Sequence, residues 1–204
     1  MKVIGITGPT GAGKTTALNA LRELGVEVID ADVVYHQLLA ESEELKAALE
    51  ATFGDIILGD CGQVDRRALA QAVYPDRLPE LNAITHPFVV DEVEYQIARA
   101  EEKGYPGVAI DAIALVESGL ARRCDAVVAV LAPKEERIRR IMARDGIDED
   151  YARRRVEAQQ SDDFYRAHAD YVLENGEGDT SEGFAFRVRT LFEALLKQVD
   201  APLT

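Results

Sequence analysis

The residues best suited to chemistry open the chain. In "GITGPTGAGKTT", Gly8, Gly13, Lys14 and Thr15 fit the spacing G-x-x-x-x-G-K-[ST]. Glycines in such a run permit a tight loop whose backbone N–H groups converge on phosphate oxygens. The Lys14 ammonium then reaches the β- and γ-phosphates, and the Thr15 hydroxyl can bind Mg²⁺. The stretch reads as a nucleoside-triphosphate cradle, and the destination of the phosphate must come from elsewhere in the chain.

Two acids follow in "VIDADVV", where Asp30 and Asp32 fall at the expected carboxyl end of a second strand. Strand carboxyl ends line the ligand crevice of an open parallel sheet. Phosphoryl transfer to a hydroxyl needs a proton acceptor and support for a metal ion, so Asp32 is the favoured base. The alternative for either acid is a helix N-cap that accepts backbone hydrogen bonds. Asp111, after the apolar "GVAI", either holds a metal-bound water or ends its strand at a turn.

Seven arginines, Arg137, Arg139, Arg140, Arg144, Arg153, Arg154 and Arg155, crowd one short region. Arg137, Arg140 and Arg144 share a helical face that could close on a triphosphate as a lid. The competing reading is a solvated face paired with Glu135, Glu136, Asp148 and Glu149. His86 in "ITHPF" is either a substrate contact or a structural histidine beside a proline. Tyr171 and Asn175 in "ADYVLENG" either line an adenine or reverse the chain.

These residues need a frame. "KVIGIT", the glycine loop, "TALNALREL" and "VEVIDAD" read as strand, loop, helix and strand, with Gly25 at a left-handed helix end. Such a βαβ unit implies a parallel sheet with helices on its faces. From Val33 to about Ala100 the pattern is helical, interrupted by the turn-like "LGDCGQ" and by Pro75, Pro79 and Pro87. "GVAIDAIALV" and "DAVVAVLAP" have the unbroken apolar character of strands covered on both faces. A charged helical hairpin over Lys134–Arg166 turns at "RDGID", "ADYVLENG" adds a short strand, and "SEGFAFRVRTLFEALLKQV" closes the chain as an amphipathic helix.

At 204 residues the chain can bury roughly 70% of its unfolded surface, enough for one domain with embedded lobes. No run approaches the ~20 apolar residues of a membrane helix, and the N-terminus lacks a signal-peptide h-region, so a cytoplasmic protein without membrane partners is expected. Cys61 and Cys124 form no C-x-x-C pair, which points to thiols in a reducing compartment. A net charge of -14 repels polyanions, so nucleic acid is excluded as a general partner. Nothing specifies an oligomeric state, and a monomer is compatible with the sequence.

The ordered landmarks "GITGPTGAGKTT", "VIDADVVYHQLL", "FGDIILGDCGQVDRRAL", "LNAITHPFV", "DAIALVESGL", "CDAVVAV", "RIRRIMARDG", "AQQ" and "ADYVLENG" resemble those of the dephospho-coenzyme A kinases. The resemblance implies an α/β fold of P-loop NTPase type. Its doubly wound parallel sheet would carry a helical substrate-binding lobe and a helical lid. Core segments would lie at 1–31, 90–136 and 167–204, the acceptor lobe at 32–89 and the lid at 137–166. The implied reaction moves the γ-phosphate of ATP, with Mg²⁺, to the ribose 3′-hydroxyl of dephospho-CoA. By the same resemblance the ATP loop is Gly11, Ala12, Gly13, Lys14, Thr15 and Thr16, the base is Asp32 and the lid arginine is Arg140. One departure stands out: "DAIALVE" places Ile113 and Ala114 where the family usually has a Pro-Leu-Leu run near the acceptor. A kinase of another small acceptor and a nucleotide-sensing module are the rival readings.

Overall fold

A phosphate loop is only as rigid as the strand that leads into it and the helix that leaves it. A computed structural model describes residues 1–60 and 62–197. Cys61, and Gln198 and Val199 at the expected end of the closing helix, lie outside the described residues. β1 (Lys2–Thr7) enters the loop and α1 (Lys14–Glu23) leaves it. α1 ends as its sequence requires: Gly25 adopts φ +76°, its N–H reaches the Arg22 carbonyl at 3.0 Å, and the Val26 N–H reaches Leu21 at 3.1 Å.

β2 (Glu27–Asp30) is followed by α2 (Ala31–Glu41), α3 (Glu43–Phe53), α4 (Arg66–Val73) and α5 (Leu78–Glu102). The chain returns as β3 (Gly107–Asp111) and β4 (Ala126–Leu131). It continues through α6 (Lys134–Asp145), α7 (Glu149–Glu157) and α8 (Asp162–His168) to β5 (Tyr171–Glu174) and α9 (Ser181–Lys197). The strand order is β2-β3-β1-β4-β5. β1 is therefore central, parallel to β3 through Ile4↔Ala109 and to β4 through Ile6↔Val128. Every residue of β4 is buried, as a strand covered on both faces demands. Leu21 of α1 and Val188 and Phe192 of α9 join Ile4, Ile6 and Val128 in one core.

The chain divides into two compact units. Among the described residues, one contains Met1–Ile29 and those from Ile97 onward; the other is Asp30–Gln96, wider at both ends than the 32–89 lobe expected from the sequence. The second unit has its own core, in which Leu45, Leu49, Phe53, Ile57, Leu69 and Val73 are buried.

Several expectations need correction. β2 stops at Asp30, so Asp32 lies in the first turn of α2 and not on a strand end. The Asp30 carboxylate accepts the N–H groups of Asp32 at 2.9 Å and Val33 at 3.0 Å, which starts the helix there. The strand read through "GVAIDAIALV" stops at Asp111, because its neighbour β1 leaves the sheet after Thr7 to become the loop. Pro79 and Pro87 do not interrupt the helix: α5 runs through both. Pro79 occupies the first turn, where its missing N–H costs no bond, and Pro87 forgoes one interior bond while the Thr85 hydroxyl ties to the Leu81 carbonyl at 2.9 Å. The hairpin ends at Glu157, and α8 is a separate helix capped by the Ser161 hydroxyl, which accepts the Phe164 N–H.

Candidate active site

The glycine loop is shaped by three left-handed glycines: Gly8 at φ +133°, Gly11 at +82° and Gly13 at +108°. All three also permit close approach. A Cβ on Gly8 would lie 2.1 Å from the Val130 carbonyl oxygen of β4, one on Gly11 would lie 2.8 Å from the Arg137 carbonyl oxygen, and one on Gly13 would lie 2.2 Å from Asn175 Nδ2. Within the loop, the Ala12 N–H bonds the Pro9 carbonyl at 3.2 Å, and the N–H groups of Thr16 and Ala17 bond the Gly13 carbonyl. Lys14 Nζ donates to the Gly8 carbonyl at 3.2 Å, which folds the lysine back across the loop. Among the described residues, no protein acceptor takes the amides of Gly11, Gly13, Lys14 or Thr15. A turn of converging N–H donors at a helix N-terminus is an anion site.

The loop is also held from behind. Asn175, 8% exposed, receives its place from the end of β5, where its own N–H bonds the Leu131 carbonyl at 2.7 Å. Its Nδ2 donates to the Ala12 carbonyl at 2.9 Å. Arg140 of α6 adds longer bonds from Nη1 to the Gly11 and Ala12 carbonyls at 3.3 and 3.4 Å, and from Nη2 to the Asn175 carbonyl at 3.4 Å. One helical turn earlier, Arg137 is 4% exposed; its Nε donates to the Thr10 carbonyl at 3.1 Å and its Nη2 to Gln159 Oε1 at 2.9 Å. Burial lowers the Arg137 pKa from its ordinary value, while Asp162, 3.7 Å away, acts in the opposite sense.

Four of the remaining arginines of that region follow the solvated, acid-paired reading. Arg139 pairs with Glu136 at 2.6 Å, Arg144 and Arg155 both pair with Asp145 at 2.6 Å, and Arg153 bridges Glu135 and Glu149, while Arg154 lies over the Tyr151 ring at 5.8 Å. Asp148 instead caps α7 by accepting the Tyr151 N–H at 2.7 Å. Asp145 is held down to about 2, first by its bond to Arg144 and then by Arg155. Only Arg137 and Arg140 of the shared helical face turn to the loop, because the i and i+3 positions meet it while Arg144, a further turn on, is drawn to its neighbouring acid.

Lys14, Thr15, Arg140 and Asn175 thus belong to one cluster in the first unit, and Asn175 serves there as a backing residue whose side chain faces the loop. Asp111 ends β3 in register with Ile6 of β1, with its Oδ1 shielded from solvent. Beside it, the Thr7 hydroxyl donates to the Ile113 carbonyl at 3.3 Å. Ile113 and Ala114 then line a cavity of about 300 Å³ with Glu117, Gln159, Gln160 and Tyr165. Burial pushes the Tyr165 phenol up to about 12, so it enters that cavity wall as a neutral hydroxyl. Asp32 and the half-buried His86 of α5 belong to the second unit.

Gln159 is the participant to which the sequence assigned no role. It lies in the "AQQ" landmark after α7 as one of two adjacent glutamines, yet it meets Thr10 through both ends of its amide.

Comparison with known proteins fits this geometry. The family model described as dephospho-CoA kinase matches residues 2–180. The dephospho-CoA kinase of Dehalococcoides mccartyi is 35% identical over 177 residues, spanning 86% of this chain and 89% of that protein. The crystal structure of TT1252 from Thermus thermophilus superposes with a TM-score of 0.80 at 34% identity, covering 97% of this chain and 98% of that one. The dephospho-CoA kinase from Campylobacter jejuni, at 23% identity and a TM-score of 0.69 over 97% of this chain and 98% of that one, shares the fold. With the phosphate loop on the central strand of a parallel sheet and relatives matching over most of its length, the chain belongs to the dephospho-CoA kinase family of ATP-dependent kinases.

Proposed function

We propose that this chain transfers the γ-phosphate of ATP, in line, to the ribose 3′-hydroxyl of dephospho-CoA, giving CoA and ADP. The observation that carries the reading is the loop of converging amides in a chain of this family. The amides of Gly11, Gly13, Lys14 and Thr15, with the lysine ammonium, hold the triphosphate; Ala12 and Thr16 complete the loop. As the new P–O bond forms, the 3′-hydroxyl proton passes to Asp32 and the bond to the β-phosphate oxygen breaks, releasing ADP. Phosphoryl transfer asks chiefly for position and charge, so no covalent enzyme intermediate is needed.

Arg140 supplies charge to the phosphates. Its 3.3–3.4 Å bonds to loop carbonyls are longer than the ~2.9–3.0 Å typical of N–H···O bonds, so exchanging them for phosphate oxygens costs little. Support for Mg²⁺ lies in the donor types: the Thr15 hydroxyl and the Asp111 carboxylate are hard oxygen ligands, and this ion is usually held by one or two protein oxygens plus substrate phosphates. When bound, it neutralises charge on the β- and γ-phosphates. We assign the acceptor to the helical unit, with Asp32 and His86 as its contacts, and the closing of the site to the lid at 137–166.

A reaction that consumes ATP belongs in the cytoplasm, and no described helix is long and apolar enough to cross a membrane. The net charge of -14 supports a small-molecule acceptor over a polyanionic one. The test is ADP release with ATP and Mg²⁺, comparing dephospho-CoA with nucleoside monophosphates, with Lys14→Ala as control. Release with dephospho-CoA alone supports the reading; release only with a nucleoside monophosphate, or ATP binding without release, rejects it.

A further inference from the structure

We infer that Gln159 is a positioning residue for the donor nucleotide, acting through Thr10. This rests on the reading of the glycine loop as the ATP site. All three polar groups of Thr10 are fastened to the segment that follows β4. Its N–H donates to Gln159 Oε1 at 3.0 Å, its hydroxyl accepts from Gln159 Nε2 at 2.9 Å, and its carbonyl accepts from Arg137 Nε at 3.1 Å. Gln159 Oε1 also accepts from Arg137 Nη2 at 2.9 Å, which closes the ring of bonds.

The consequence lies one peptide further on. Fixing the N–H and carbonyl of Thr10 fixes the planes of the peptides on either side of it, and Gly11 is the next residue, at φ +82°. A glycine so permissive takes whatever direction its neighbours impose. The Gly11 N–H lies in the same peptide as the Thr10 carbonyl that Arg137 holds, so Gln159, which fixes the Thr10 N–H and hydroxyl and accepts from Arg137, sets the direction of this first free amide together with that arginine. Half of that hold depends on the side chain at position 10, because the Thr10 hydroxyl accepts from Nε2 and an apolar side chain there could not. Arg137 is 4% exposed, and Gln159 also gives its buried guanidinium one of its acceptors.

The loop and α7 are thereby coupled. Gln159 follows directly on α7, whose Ala152 and Val156 pack with Ile138 and Ile141 of α6. A change that loosens the hairpin pulls on Thr10, and one that frees Thr10 releases the hairpin from the loop.

Equilibrium titration with ATP of the full chain and its variants, alongside steady-state kinetics, decides the matter. Thr10→Val keeps the shape and removes the hydroxyl; it should raise the ATP Kd about 3–10-fold, the worth of one hydrogen bond. Thr10→Ser should stay within about 2-fold of the unaltered chain. Gln159→Ala should weaken ATP about 10-fold or more, and adding Thr10→Val to it should change little further, since the shared bond is already gone. The KM for dephospho-CoA should not move in any of them. Should Gln159→Ala fail to fold, the Thr10→Val and Thr10→Ser pair decides alone. An ATP Kd unchanged in Thr10→Val, or equal losses in Thr10→Val and Thr10→Ser, overturns the inference, as does a fall in thermal midpoint with ATP affinity intact. An unaltered chain that takes up no ATP sinks the nucleotide reading itself, an outcome distinct from these.

Discussion

Replacing Gly13 by alanine tests how the loop is held from behind. At φ +108° an added Cβ meets its own backbone, costing roughly 1–2 kcal/mol. The same Cβ would stand 2.2 Å from Asn175 Nδ2, so the amide must retreat and give up its 2.9 Å bond to the Ala12 carbonyl. That loss is about 1 kcal/mol net, and up to about 3 where the groups are left buried without partners. The total is about 2–5 kcal/mol, read as a lower urea midpoint at unchanged slope. Asn175→Ala removes the obstacle, so the double variant should be more stable than the sum of the single losses by about 1 kcal/mol or more. Gly8→Ala provides the contrast, because its obstacle is the Val130 carbonyl oxygen at 2.1 Å, main chain of a strand paired on both sides. No side-chain deletion can relieve that clash. Strict additivity of Gly13→Ala with Asn175→Ala, within about 0.3 kcal/mol, would refute the reasoning.

Asp32→Asn should lower turnover roughly 10²- to 10⁴-fold while ATP binding is kept; near-normal turnover in single-turnover kinetics would leave Asp32 as no more than an acid in the first turn of α2, where the helix dipole favours it. Burial pushes the Cys124 thiol up to about 12. Alkylation at pH 8, followed by peptide mapping, should therefore be about 10³-fold slower at Cys124 in the folded chain than in urea, and equal rates would contradict the burial argument. The depressed Asp145 carboxyl should titrate near 2 by carbon NMR. Because its pKa is lowered on folding, its contribution is present above the ordinary carboxylate range and lost as pH falls through about 2. A midpoint near the usual Asp value of about 3.9 would show that the Arg144 and Arg155 contacts do not persist in solution.

Features carried by local chemistry were open to sequence reading. The Gly-x-x-x-x-Gly-Lys-Thr spacing, Gly25 as a helix end and the apolar run of β4 each express a constraint acting over a few residues. What escaped was set by partners far along the chain. Thr10 meets Gln159 across 149 positions, and Asn175 meets Ala12 across 163, contacts that no local periodicity encodes. Asp30 and Asp32 look alike in "VIDADVV", and only the two amide bonds to Asp30 show which one begins α2. Pro87 marks a break when read alone, whereas the helix around it continues because the loss is confined to one interior bond.

The central place of β1 has a consequence for the order in which the chain is made. Its partners begin at Gly107 and Ala126, so about 120 residues must follow Thr7 before both edges of the strand are covered. At ~5–20 residues per second, β1 leaves the ribosome roughly 6–24 s ahead of its second neighbour. Asp30–Gln96 is contiguous and draws its core from nearby sequence, so it can close first, while Ile4 and Ile6 remain exposed and open to wrong pairing. The seating of Gly8 against Val130 comes only with β4, so the nascent chain gains its nucleotide cradle late, and ATP capture reports that the sheet has been completed.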